Sequence, residues 1–315
     1  MKTVQAEYTF SKAEMLILRQ LANGSHALSE IKEALSMRPS LLSYNLKKLL
    51  KKGLIKITEQ GNRKYLYFSD SKHASLLRDL LLTYDHVDWQ NILTDKTIEV
   101  LFHILTTEDD LVKLPKTTLW RNLKNLKSRG IIMSGKKGYV INPRFSILSD
   151  FLKEYQQFFI SKLVKALSEN AVILWQADME FLVRAPKNAK NPSKDFHKTA
   201  TAIFHKYNLP MSSEYDIYFY SKSKDTIKPE DAILHTLLIE PNNARYTTYA
   251  LLLLEKIKSK LDKEYLLQEA ERLDLKNQII NMLQFLKTHT QQKEQVLPTW
   301  NEFSTKAKDY GIVIK

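Results

Sequence analysis

The chain has 315 residues, no cysteine, and 48 Lys and Arg against 35 Asp and Glu, a formal net charge of +13. That length predicts more than one domain, since single cores rarely grow beyond about 250–300 residues; the missing cysteines exclude disulfides, iron–sulfur clusters, thiolate zinc sites and cysteine nucleophiles. Residues 1–10 lack the apolar run of a secretory signal, and no stretch approaches the roughly 18 apolar residues of a membrane span, so the expectation is a cytoplasmic protein with no membrane partner.

Residues 10–22 read as a helix. Ser11 and Glu14 have the spacing of a capping box, Phe10 and Met15 that of a hydrophobic staple, and Met15, Leu16, Leu18 and Leu21 supply an apolar side. A short helix is predicted over 28–35, with Leu28, Ile31, Ala34 and Leu35 inward. Pro39 suits the first position of a third helix, 39–52, because its missing N–H costs nothing there. Leu42, Leu46 and Leu49 recur at i, i+4, i+7 and form the buried stripe of that helix. Gly53 stops it, and 54–58 and 64–68 alternate as two strands around the polar turn 59–63.

Three helices followed by a two-stranded ribbon is the order of a winged helix-turn-helix. Residues 43–55, Ser-Tyr-Asn-Leu-Lys-Lys-Leu-Leu-Lys-Lys-Gly-Leu-Ile, resemble the recognition-helix-to-wing run of ArsR- and MarR-like prokaryotic transcriptional regulators. The run then returns. Residues 120–132, Trp-Arg-Asn-Leu-Lys-Asn-Leu-Lys-Ser-Arg-Gly-Ile-Ile, align with 43–55 at a constant offset of 77, placing Leu119, Leu123 and Leu126 on Leu42, Leu46 and Leu49 and Gly130 on Gly53. Upstream, Thr94 is placed to cap a helix through Ile98, Leu101, Phe102 and Leu105. Downstream, Ile131 to Met133 and Tyr139 to Ile141 flank a compact turn. Residues 70–90 read as a linking helix between the copies.

An α-helix fits the major groove of B-DNA, with outward side chains at base edges and flanking cations on phosphates. In the first copy Ser40, Ser43, Tyr44 and Lys47 are assigned to the groove, and Lys48, Lys51, Lys52, Arg63 and Lys64 to the backbone. In the second, Thr117, Thr118, Arg121 and Lys124 take the groove, with Lys136 and Lys137 on the wing; Arg121 is the candidate for a bidentate guanine contact. Trp120 stands where its twin has Ser43. It either touches DNA or packs against another element or subunit, in which case the second copy is structural or dimerising. The charge agrees with a polyanion partner, since residues 1–150 carry a surplus of 9 and 151–315 one of 4. A lysine-rich solvated surface gives the same composition, 38 of the 48 basic residues being Lys.

Residues 145–168 read as a long apolar-periodic helix, suited either to a dimer interface or to packing between domains. Strands are predicted at 171–175, 179–184 and 215–220, a helix over 196–207, and helices at 230–239, 246–261, 263–273, 277–288 and 300–310. Asp178 and Glu180 before an apolar strand, with Asp216 on a later one, loosely resemble the acids of nucleotidyltransferases, where clustered carboxylates hold two Mg²⁺. The i, i+2 spacing would put Asp178 and Glu180 on one strand face, but the Gly-Ser element of that family is absent, and exposed strand acids are the plainer reading. His197 and His205, eight apart on the predicted helix, are too far apart to share a metal unaided. His235 follows Asp231 by one turn, the spacing of a surface pair. Tyr207, Tyr215, Tyr218, Phe219, Tyr220 and Trp175 read as an effector pocket or as a sheet core with hydroxyls at its rim. Runs at 230–235, 249–255, 297–303 and 307–311 resemble archaeal winged-helix regulators whose carboxy-terminal domain has no assigned chemistry.

The expectation is therefore a mainly α chain with small β-wings, divided into a winged helix-turn-helix (1–70), a linking helix with a second one (71–144), a linker or dimerisation helix (145–169), and an α/β-then-helical domain (170–315). Its expected role is a non-enzymatic, DNA-binding transcriptional regulator without metal or cofactor. It would bind double-stranded DNA as a homodimer and answer to a small-molecule or protein effector. The alternatives are an antitoxin-like partner of a nucleotidyltransferase-type system, acting by protein contacts, and a degenerate nucleotidyltransferase-like protein.

Overall fold

In the computed structural model, which describes residues 8–24, 26–106, 116–135, 138–187, 189–290 and 296–314, the first helix, α1 (Lys12–Ala22), begins at a reciprocal cap. Ser11 accepts from the Glu14 N–H, and the Glu14 carboxylate accepts from the Ser11 N–H at 2.7 Å. Then come α2 (Leu28–Ala34), α3 (Pro39–Lys51) and the antiparallel hairpin β1 (Ile55–Gln60) and β2 (Arg63–Phe68), closed by the pair Gln60↔Arg63. Leu42, Leu46 and Leu49 are buried as their spacing requires. Leu16 and Ala34, expected inward, are exposed; Ile17 and Glu14 take the inward face of α1 instead.

The predicted linking helix is two: α4 (Lys72–Thr83) and α5 (Trp89–Ile92). Between them the chain turns at Tyr84, whose carbonyl accepts the Trp89 indole N–H at 2.9 Å. Next come α6 (Asp95–Thr106), α7 (Lys116–Ser128) and the short antiparallel pair β3 (Ile132–Ser134) and β4 (Tyr139–Ile141). A 3₁₀ turn, Pro143–Phe145, leads into α8 (Ser146–Leu167). The apolar face of α8 is spent within the chain: Phe10 stacks on Tyr155 at 5.4 Å between ring centroids, and Phe102, Phe151 and Phe159 surround the same tyrosine. Burying aromatics of this size dominates the energetics of a core.

Residues 1–162 and 163–315 form two compact units. The second is built on a four-stranded antiparallel sheet in the order β5 (Val172–Ala177), β6 (Glu180–Pro186), β8, β7 (Phe196–Lys198), where β8 spans Tyr215–Tyr220. The helix predicted over 196–207 is instead β7 followed by a 3₁₀ stretch, Ala200–Tyr207. Thr199 is extended and Ala200 has φ 51°, so no α-helix runs through them. Among the described residues five α-helices follow: α9 (Pro229–Ile239), α10 (Ala244–Ile257), α11 (Lys263–Arg272), α12 (Lys276–Thr288) and α13 (Trp300–Asp309). Buried from Glu230 to Ile239, α9 is the central helix of this unit, apolar nearly all round as such a position demands. Among the described residues no helix is long and apolar enough to cross a membrane.

Candidate nucleic-acid interface

With its leucine stripe turned inward, α3 exposes Ser40, Ser43, Tyr44 and Lys47 together on the other side. Tyr44 is 57% exposed, and the Lys48 ammonium lies 4.8 Å from the centre of its ring. Half-buried Lys48 is thus held against an aromatic face rather than free in water. Lys51 is exposed. On the hairpin Arg63 and Lys64 are exposed, Lys64 in a surface pair with Glu59 at 3.2 Å. Arg38, at the N-cap of α3, is also exposed and was not among the assigned residues; its position directly before Pro39 was the available signal.

Lys52 departs from its assignment. It is 2% exposed, donates to the Glu14 carboxylate at 2.5 Å and to the Thr9 carbonyl at 2.7 Å, and so ties the end of α3 to the start of α1. A buried ion pair of this kind is no phosphate contact. Asn45, on the inward side, accepts from the Ser11 hydroxyl at 3.3 Å and donates to the Leu41 carbonyl.

The segment 94–142 repeats several of these features. Asn122, the counterpart of Asn45, accepts from Thr97 near the start of α6. Both α3 and α7 end on a glycine with positive φ, 63° at Gly53 and 68° at Gly130. In each the following N–H reaches back five residues, Leu54 to Leu49 and Ile131 to Leu126. In each the glycine carbonyl accepts from a polar side chain beyond the hairpin, Ser69 or Asn142. On α7 Thr117, Arg121 and Lys124 are exposed and Thr118 is half-buried. Trp120 is 64% exposed, with the Lys124 ammonium 5.0 Å from its ring centre, so among the described residues it is not buried against another element. Lys136 and Lys137 lie outside the described residues.

In the second unit the three candidate acids are kept apart. Asp178 sits in the β5–β6 turn at φ 52° rather than on a strand, so it does not share a strand face with Glu180. Asp216 lies opposite Ala185 on β6, five residues or about 17 Å from Glu180. Two of the three are engaged with separate cations: Glu180 with Arg272 at 2.7 Å, Asp216 with Lys198 at 2.6 Å. Among the described residues no cluster of three or more His, Asp or Glu side chains is disposed to hold a metal. His197 is on β7 and His205 on the 3₁₀ stretch, not on one helix. Phe219, Tyr218 and Tyr220 are buried in the sheet, Trp175 and Tyr207 half-buried, and Tyr215 is exposed at its edge, which is the core-with-rim arrangement.

His235 and Asp231 do not form the surface pair that their spacing suggested. His235 is fully buried, stacked on Phe219 at 4.1 Å and 2.7 Å from the Thr199 hydroxyl. Burial, and then the nearby Lys224 and Arg272 charges, push its pKa down to about 3. Asp231 accepts from Lys224 and Tyr265 and caps α9 through the Lys228 N–H. Lys224 also bonds Glu269, which pairs with Arg272, which reaches Glu180, so opposite charges alternate along the chain of contacts. Burial alone would lower the Lys224 pKa; its bonds to Asp231 and Tyr265 outweigh that and raise it. Such a network fastens β6, α9 and α11 to one another.

Residues 12–56 match the family model of the bacterial regulatory protein, arsR family (HTH_5). That segment contains α1, α2, α3 and the start of β1, so the first unit carries a winged helix-turn-helix, and the match supports a DNA-binding transcription regulator. Residues 193–312 match a second family model, HVO_2833_C, described as C-terminal. No curated protein and no solved structure matches the chain.

Proposed function

We propose that the chain is a DNA-binding transcriptional regulator that lays α3 in the major groove and rests the β1–β2 wing on the phosphate backbone. The observation that carries this reading is the composition of one helix face: Ser40, Ser43, Tyr44 and Lys47 are exposed together on the side of α3 opposite its leucines, within a segment matched by the arsR family. Short polar and aromatic side chains suit base edges; the longer Lys47, given to the groove by its register alone, is assigned here to a phosphate together with Lys48, Lys51, Arg63 and Lys64.

The segment from α6 to β4 acts as a second winged helix, with Thr117, Thr118, Arg121 and Lys124 toward the duplex. The repeated asparagine bond and the repeated glycine cap support this reading. The chain works as a homodimer, and the second unit is a non-catalytic sensing domain that answers to a small-molecule or protein effector.

Binding to a random-sequence duplex across a salt series tests the core of this reading. Affinity should fall linearly on a logarithmic salt axis, and Lys47→Ala with Arg63→Ala should flatten the slope by about two. A slope unchanged in that variant overturns the assignment of these two residues to phosphates.

A further inference from the structure

The C-terminal end of a helix leaves its last carbonyls without intrahelical donors, and each must find a partner. At the end of α3 the chain itself serves three. Lys52 N–H donates to Lys48 O at 3.0 Å, Gly53 N–H to Leu50 O at 2.9 Å, and Leu54 N–H to Leu49 O at 3.1 Å. The next three are served by distant side chains. Lys162 Nζ, on α8, donates to Lys51 O at 3.0 Å. His73 Nε2, on α4, donates to Lys52 O at 2.9 Å. Ser71 Oγ donates to Gly53 O at 3.0 Å, joined there by Ser69 Oγ. Phe158 of α8 closes the same corner: a Cβ on Gly53 would lie 2.7 Å from its ring, and that ring is 4.5 Å from the ring of His73. At the matching end of α7 no described side chain comes within 4 Å of the position a Cβ on Gly130 would take. Phe158 thus has no counterpart at Gly130 among the described residues, although Asn142 Nδ2 does donate to the Gly130 carbonyl.

We propose that Lys162 and His73 are positioning residues for duplex reading: by fastening the last turn of α3 to α8 and α4, they fix the tilt at which Ser40, Ser43 and Tyr44 meet base edges. This rests on the DNA-reading role of α3 given above. The lever is long, since the 13 residues of α3 span about 20 Å at 1.5 Å per residue. A tilt of about 5° at the gripped end moves the first turn by about 1.7 Å, enough to break a base-edge hydrogen bond. Contacts from lysines to phosphates survive such a tilt, because their flexible stems follow it. Lys162 is exposed, so its bond to the Lys51 carbonyl contributes little to stability, and its effect is on orientation.

The test uses the full chain and two probes: a duplex of about 30 base pairs enriched by the wild-type chain from a random pool, and a scrambled duplex of equal length. Lys162→Met keeps the stem and removes the donor. Its affinity for the enriched duplex should fall about tenfold, the equivalent of one mismatched base pair, with binding to the scrambled duplex, the salt slope and the melting temperature unchanged. Lys162→Arg should restore discrimination. His73→Gln, which keeps a donor, should discriminate better than His73→Phe, compared where both are folded. Equal losses on both duplexes, no loss on either, or no restoration by Lys162→Arg overturns the proposal. A wild-type chain that enriches no duplex overturns the DNA-reading role itself, and is told apart from the other failures by that first step.

Discussion

Lys47 and Lys52 stand five positions apart in a run of similar residues, yet the first is exposed and the second is buried against Glu14. Breaking a buried pair strands the remaining charge, whereas trimming an exposed lysine costs little. Glu14→Gln should therefore destabilise the first unit by about 3 kcal/mol, and Lys47→Ala should stay within about 0.5 kcal/mol, both read from urea unfolding. The capping role of Glu14 was legible from its spacing to Ser11; its pairing with Lys52 was not, because that partner is 38 residues away and only the tertiary fold brings it near. The burial of His235 is hidden from local sequence for the same reason, since a spacing of four from Asp231 looks the same on a solvated helix as on a buried one. Its folded pKa, pushed down to about 3, lies below the unfolded value of about 6.5. Its contribution to stability is then present above about pH 6.5 and is lost as pH falls from there toward about 3, up to about 5 kcal/mol in all. The unfolding midpoint of the second unit should fall over that window, and His235→Phe should flatten the fall; an equal pH dependence in wild type and variant would assign it to another group.

At the scale of elements, helices with a local stop were the most legible. Gly53 and Gly130 both mark the end of a helix, and both take the left-handed conformation that a side chain resists. Their surroundings differ, so the same substitution separates them. Gly130→Ala should cost about 1 kcal/mol through its φ alone. Gly53→Ala should cost about 3 kcal/mol, because its new methyl group also meets Phe158 at the end of α3. Thermal unfolding of the two variants side by side gives the comparison, and equal losses would mean that Phe158 yields freely. The segment 196–207 shows where local reading stops. Its apolar spacing suits a helix, but residues 196–198 pair with 218–220 of β8, and the chain must leave that strand through Thr199 and Ala200 before it can coil. The pairing partner lies about twenty residues downstream, so helical periodicity within the segment carries no sign of it.

For the whole molecule, the partition of charge was legible before any contact was known. Residues 1–162 hold a surplus of 10 and residues 163–315 a surplus of 3. The interior of the second unit was not, since its ion network joins residues as distant as Glu180 and Arg272. The densest basic stretch of that unit, 184–198, has five cations against Asp195, and composition alone would make it a second phosphate contact. Two of the five are already occupied: Lys198 pairs with Asp216, and the Arg184 guanidinium lies 5.1 Å from the Tyr215 ring centre. Only cations that neutralise phosphates release counterions, so charge remote from the duplex leaves the salt slope alone. Lys187→Gln with Lys190→Gln should therefore leave the slope within about 0.3 of wild type, while Lys47→Ala with Arg63→Ala flattens it by about two. If the first pair flattened it as much as the second, the phosphate contacts would extend over both units, and the charge surplus of the first would not be what locates the DNA.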